Sequence, residues 1–186
     1  MFRSLSLAAA LVLSPLLSPT PAPTPTIPPD VNAAVEDLVL PVEDVIGEVE
    51  SLDGTESETK QGTQVTVALT SDVLFALDKW VLTAKARQRL QQVAQKVRDE
   101  SAGGVVKVQG HTDDQGSESY NRTLSQRRAQ AVEQAMRGML AGANVTLQAQ
   151  GFGESRPKVP NIVDDKPVER NRAKNRRVEI VFDVKR

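Results

Sequence analysis

Two residues stand out for the chemistry they could do together. Asp113 lies in a glycine-punctuated turn, Gly110-His111-Thr112-Asp113-Asp114-Gln115-Gly116, and Arg128 follows within a stretch of helical periodicity. Asn121, Leu124, Arg128, Ala131 and Ala135 recur at the spacing of one helix face. An arginine on such a face is costly unless a carboxylate or an anionic ligand satisfies its guanidinium. Asp113 is the candidate to lie near it. An acid and an arginine held side by side suit a ligand that carries both an ammonium and a carboxylate. The implied ligand is a zwitterionic amino acid, and the implied role is binding. A structural ion pair that merely fixes the turn on the helix is the competing explanation.

Other constellations offer less. His111 is the single histidine, and there is no cysteine to help it hold a metal. No serine sits in a nucleophile elbow, so the expectation is a non-enzymatic protein without a cofactor, with His111 a hydrogen-bonded turn residue. Asp114 and Arg127 read as solvated neighbours on other faces. Arg170, Arg172, Lys174, Arg176 and Arg177 form one basic cluster, read as a solvated loop. Trp80 reads as a residue packing on a helix flank rather than as a platform for a sugar.

Composition narrows the classes further. The 186 residues suffice for one ordinary domain and a tail. With 23 basic and 24 acidic residues, no overall field points to nucleic acid. Aromatics make up 3%, so a core must rest on Val, Leu, Ile and Ala. The lack of cysteine excludes disulfides, zinc–thiolate sites and a lipobox.

Residues 1–18 read as an export signal or a short anchor, because Arg3 precedes an apolar run too short for a full membrane span. Whether it is cleaved is left open, so contact with the membrane is expected only through this segment. Residues 19–30 form a Pro/Thr spacer, extended and semi-rigid. Residues 31–62 read as an N-terminal extension able to add strands, with Ile46 to Leu52 a candidate strand before an Asp53-Gly54 turn.

The folded module is expected over residues 63–186. Val65, Val67 and Leu69 alternate as in a half-buried strand. Thr83 can cap a helix whose apolar positions are Ala86, Leu90, Val93, Ala94 and Val97. Val106 and Val108 start a strand that delivers the Asp113 turn. Ser117 or Ser119 begins a second helix that runs to about Leu140. Val145, Leu147 and Ala149 form another strand; an irregular stretch from Gly151 to Lys174 precedes the last one, with Val178, Ile180 and Phe182 facing in. This order predicts an α/β (α+β) two-layer sandwich: a βαβαβ–β mixed sheet with the helices on one face.

The same residues resemble a known family. The Gly110 to Ala129 segment is similar to the signature of the OmpA-like C-terminal domain, the peptidoglycan-binding module shared by outer-membrane protein A, the peptidoglycan-associated lipoprotein and the flagellar stator protein MotB. Val73-Leu74-Phe75-Ala76-Leu77-Asp78-Lys79, Gly151-Phe152-Gly153-Glu154 and Asn175-Arg176-Arg177-Val178-Glu179 match further motifs in the same order. Ala76-Leu77 depart from the usual Phe-Asp-Phe-Asp pattern.

The resemblance implies binding of peptidoglycan through the diaminopimelate of its stem peptides. Asp113 would grip the ammonium and Arg128 the carboxylate. Asn121 would line the pocket, Asp78 would sit at its edge, Thr112 would join the ligand-binding set, and Arg177 would support the rim. The doubled Val-Glu-Asp at residues 35–37 and 42–44 resembles the front extension of actinobacterial members. The implied setting is the cell envelope, with the protein secreted and held on the wall. A scaffold that kept the fold without the ligand, or a stator-like membrane partner, remains an alternative, and the oligomeric state is left open.

Overall fold

A computed structural model describes residues 46–185. The expected export run, the Pro/Thr spacer and the doubled Val-Glu-Asp lie outside those residues. Twelve elements follow one another: β1 (Gly47–Glu50), β2 (Glu56–Gln61), β3 (Gln64–Thr70), α1 (Ser71–Leu74), α2 (Ala84–Glu100), β4 (Gly104–His111), α3 (Glu118–Met139), β5 (Val145–Gly153), β6 (Ile162–Val163), β7 (Lys166–Pro167), α4 (Glu169–Asn175) and β8 (Arg177–Asp183). Six strands form one mixed sheet in the order β1-β2-β3-β8-β4-β5, in which only β4 and β5 run parallel. Helices α2 and α3 cover one face, as the periodicities predict.

Each long element has a local cause. The Thr83 hydroxyl accepts the Ala86 N–H at 3.0 Å and starts α2; the Ser117 hydroxyl accepts the Tyr120 N–H at 3.2 Å and starts α3. Val65, Val67 and Leu69 alternate inward against Val178, Ile180 and Phe182 of β8. Leu90, Val93 and Val97 of α2 close over them, with Ala129, Val132 and Met136 of α3. The buried stripe of α3 is therefore Asn121, Leu124, Ser125, Arg128, Ala129, Val132 and Met136, rotated from the expected one; Ala131 and Ala135 stand only partly covered at its border.

Two glycines set the height of α3 over the sheet. A Cβ at Gly110 would lie 2.2 Å from the Ser125 carbonyl oxygen, and one at Gly151 would lie 2.3 Å from the Gln126 nitrogen. The helix thus rests directly on the backbones of β4 and β5. Side chains lock it there: Gln126 Oε1 accepts the Gly151 N–H at 2.7 Å, and Ser125 Oγ accepts the Gly153 N–H at 2.8 Å.

The front of the described chain adds strands without adding core. Ile46 to Leu52 supplies β1, as expected, and β2 pairs with β3 along its whole length. Glu56 and Glu58 lie on the helix side of the sheet, where Arg89 and Lys96 of α2 meet them at 4.0 and 3.1 Å. Charged pairs, not apolar side chains, finish the core at this edge. The stretch read as irregular from Gly151 onward holds the end of β5, a small β6–β7 hairpin and α4.

Candidate functional site

Four segments converge at one end of the sheet. They are α1, the loop from Ala76 to Val81, the turn after β4, and the junction of α4 with β8. The loop is pinched shut by pairing of Phe75 with Leu82, and Asp78 turns the chain with a left-handed φ of 53°. That closure presents the Lys79 carbonyl to α3, where it accepts the Arg128 Nε–H at 3.0 Å. The Arg128 guanidinium also lies 5.4 Å from the centre of the Phe75 ring.

Arg128 is buried, with 5% of its surface exposed. Burial pushes its pKa down, while the carboxylates of Asp78 and then Asp72 oppose that push. No carboxylate in the described residues bonds to it, and neither terminal Nη group donates to a protein acceptor. The fork of the guanidinium is thus anchored at its base and open at its end.

Asp113 takes a different partner from the one expected. Its Oδ2 accepts from Arg176 Nη1 at 2.8 Å, and its Oδ1 accepts the Gln115 N–H at 3.1 Å. Arg176 also reaches Glu169 at 2.9 Å and Asp72 at 3.4 Å. Burial alone would lower the Arg176 pKa; the carboxylates of Asp113, Glu169 and Asp72 reverse the sign and raise it. Asp72 acts on Arg176 and Arg128 together, so two arginines and four acids, Asp72, Asp78, Asp113 and Glu169, share one neighbourhood.

The remaining expected residues divide. Asn121 is buried beneath the turn, donating to Glu154 Oε2 at 2.6 Å and to the Gln115 carbonyl at 3.0 Å, so it braces the turn from below. Thr112 is buried beside Asp113; its N–H reaches the Gly153 carbonyl at 2.9 Å, while its hydroxyl has no partner. Asp78 stands exposed at the edge, near Arg128. Arg177 is not with them. Successive residues of a strand point to opposite faces, so Arg176 faces Asp113 while Arg177 turns to the other side of the sheet. There its Nε donates to Glu179 Oε1 at 2.7 Å. Strand alternation from the inward-facing Val178 was the available signal that separates these neighbours.

The basic cluster is not a solvated loop either. Arg172 donates to both carboxylate oxygens of Asp114, at 2.7 and 3.2 Å, and holds that carboxyl below its usual pKa. Lys174 reaches Glu50 of β1 at 3.3 Å. These pairs fasten α4 to the Asp113 turn and to the sheet edge. Asp114, expected to be solvated, is one of the fasteners.

His111 ends β4 instead of lying in the turn. Its ring is buried and stacks on Phe152 at 5.4 Å, with Nε2 3.6 Å from Glu179 Oε2, longer than a hydrogen bond. Burial lowers its pKa, opposed by Glu179 and reinforced by Arg177 and Arg156. Burial would raise the Glu179 carboxyl, but His111 and Arg177 outweigh it and hold it at about 2. Among the described residues no set of three His, Cys, Asp or Glu side chains could hold a metal ion.

Comparison with known proteins agrees with this geometry. The chain is 40% identical to outer membrane porin F of Pseudomonas fluorescens over 109 residues, covering 58% of this chain and 31% of that protein. It is 38% identical to outer membrane protein A of Bordetella avium over 114 residues, covering 61% of this chain and 55% of the relative. The chain thus spans from about a third to just over half of these relatives' lengths, and both are named as envelope proteins, not enzymes. In structure it is similar to the cell wall anchor of the T6SS from Pseudomonas aeruginosa, with a TM-score of 0.58 at 26% identity over 70% of this chain and 89% of the other. A putative MotB-like protein from Desulfovibrio vulgaris gives 0.57 at 27% identity, over 73% and 85%. The profile of the OmpA family matches residues 74–176, more than half the chain; it takes in the Ala76 to Val81 loop, the turn after β4 and α4 up to Arg176, and begins at the last residue of α1. The chain belongs to the OmpA family.

Proposed function

We propose that this protein binds peptidoglycan non-covalently through the diaminopimelate end of its stem peptides, and so is held to the cell wall as an exported envelope protein. The observation that carries the reading is Arg128. Its guanidinium is fixed by Phe75 and the Lys79 carbonyl, yet its two Nη groups bond to nothing in the described protein. A carboxylate can accept two parallel hydrogen bonds from such a fork, an arrangement lysine cannot reproduce.

The acids around the fork supply the other half. Diaminopimelate ends in a carbon bearing both an ammonium and a carboxylate. With the carboxylate on Arg128, the ammonium falls to Asp113 or Asp78. Asp113 keeps lone pairs to spare after meeting Arg176 and the Gln115 N–H. The similar structure named as a cell wall anchor supports the same role. One stem offers few contacts, so firm retention comes from many stems at high local density.

The test is retention of the purified protein on sacculi of the diaminopimelate type against walls with lysine at that position, at matched ionic strength. Lysine lacks the terminal carboxylate, so retention should fall sharply on it. Equal retention on both walls overturns the reading.

A further inference from the structure

Trp80 was expected to pack on a helix flank, and instead it stands 41% exposed. It is the chain's single tryptophan, and it follows Asp78 and Lys79 directly on the loop that anchors Arg128. The Arg127 guanidinium lies over the indole, 4.6 Å from its centre. Beyond that contact, Trp80 walls a cleft of about 500 Å³ that runs between the loop and α3, floored by Leu82, Ala135 and Met139 and edged by Arg87 and Gln134. Arg87 and Arg127 make no ion pair with any described residue.

The lining narrows the ligand. An aliphatic partner would leave two guanidiniums and an amide unmatched at its rim, and an anionic polymer would have no use for the indole and methionine surface. A pyranose ring offers an apolar C–H face for an aromatic wall, together with hydroxyl and acetamide groups for the polar edge. The cleft shares its loop and helix with the proposed stem-peptide site: Trp80 follows Lys79, whose carbonyl holds the Arg128 Nε–H, and Arg127, over the indole, precedes Arg128 in α3. Three extended residues reach roughly 10 Å, enough to carry a chain from the Arg128 fork to the neighbouring side chains.

We infer that the Trp80 cleft is a saccharide subsite that takes an N-acetylated amino-sugar ring of the glycan strand while Arg128 holds the end of the attached stem. This rests on the wall-binding reading above and extends it from the peptide to the sugar.

A titration of the full chain with the free diaminopimelate tripeptide, and separately with the disaccharide-tripeptide, tests it, using both calorimetry and the emission of Trp80. The disaccharide form should bind about fivefold tighter, the increment of one ring-stacking contact, and it alone should shift the tryptophan emission. Trp80→Ala should erase that increment without changing the affinity for the free tripeptide, and Trp80→Phe should keep most of it. If both ligands bind the parent equally and the emission does not move, the sugar subsite is overturned while the stem site stands. An increment that survives Trp80→Ala overturns it as well. If neither ligand binds, the wall-binding reading fails and takes this extension with it.

Discussion

Arg176 Nη1 lies 2.8 Å from Asp113 Oδ2, so the acid of the signature turn is partnered by an arginine at the α4–β8 junction and not by Arg128. The pair joins two segments far apart in sequence at the mouth of the site. Arg176→Met leaves the Asp113 carboxylate buried against the Gln115 N–H alone. Losing one partner of a fully buried pair costs about 3–5 kcal/mol; partial exposure of Arg176 brings the expected loss to roughly 2–3 kcal/mol. Urea unfolding should show it. Arg172→Met, which frees the more exposed Asp114, should move the urea midpoint much less.

Arg128→Lys keeps a positive charge and loses the fork. Its effect should appear in binding, with the fold intact by circular dichroism. Removing one partner of a desolvated charged contact costs on the order of 2–5 kcal/mol, so retention on diaminopimelate-type sacculi should all but vanish. Parental retention by Arg128→Lys would rule out two-point capture of a carboxylate.

His111 makes stability depend on pH in a foreseeable direction. Its folded pKa lies below the ordinary value of 6.5 because burial disfavours the imidazolium. The unfolded chain therefore binds the proton first, and stability falls as pH drops below about 6.5. Glu179 acts in a second, more acidic window. Its pKa of about 2 against an ordinary 4.5 gives a contribution present above pH 4.5 and lost as pH falls toward 2. The groups facing the imidazole are Glu179, Arg177 and Arg156. Urea midpoints at pH 7, 5.5 and 4.5 should decline for the parent, and His111→Asn should flatten the first step.

A chain starting at Gly62 should fold and still bind the wall. Residues 46–62 place no apolar side chain in the core, and Ser57 is their one buried side chain. What is lost is the pairing of β2 with β3 and ion pairs such as Lys158–Glu48 and Lys174–Glu50. Surface pairs contribute up to about 1 kcal/mol each, so the expected loss is on the order of 1–2 kcal/mol. The urea midpoint should move modestly with the slope nearly constant; a collapse of both would mean that the two front strands are integral to the domain.

The fold was legible wherever the apolar period was long. Val65–Leu69, Leu90–Val97 and Val178–Phe182 each repeat at the spacing of their element, and each became what that spacing implies. Arg128 was legible because a guanidinium on a buried stripe demands a partner. The partner itself was not: what meets Asp113 depends on tertiary placement of Arg176, which no local period encodes. The fasteners on α4 were hidden for a related reason. Arg172 and Lys174 have the composition of a solvated loop, and only the approach of Asp114 and Glu50 gives them a structural task. Trp80 went the other way, exposed where an aromatic residue is expected to pack, because the loop that carries it is shaped to hold out the Lys79 carbonyl.

The bare glycines beneath α3 make the strands a ruler for the site. Arg128 stands less than one helical turn beyond Ser125 and Gln126, the residues that touch down on Gly110 and Gly151. An added methyl at either glycine meets backbone, not a yielding side chain, so the whole helix must lift. Arg128 would rise with it, away from the Lys79 carbonyl that fixes its fork. Gly110→Ala or Gly151→Ala would therefore weaken ligand capture without altering any group that touches the ligand, an error of alignment passed along a rigid rod.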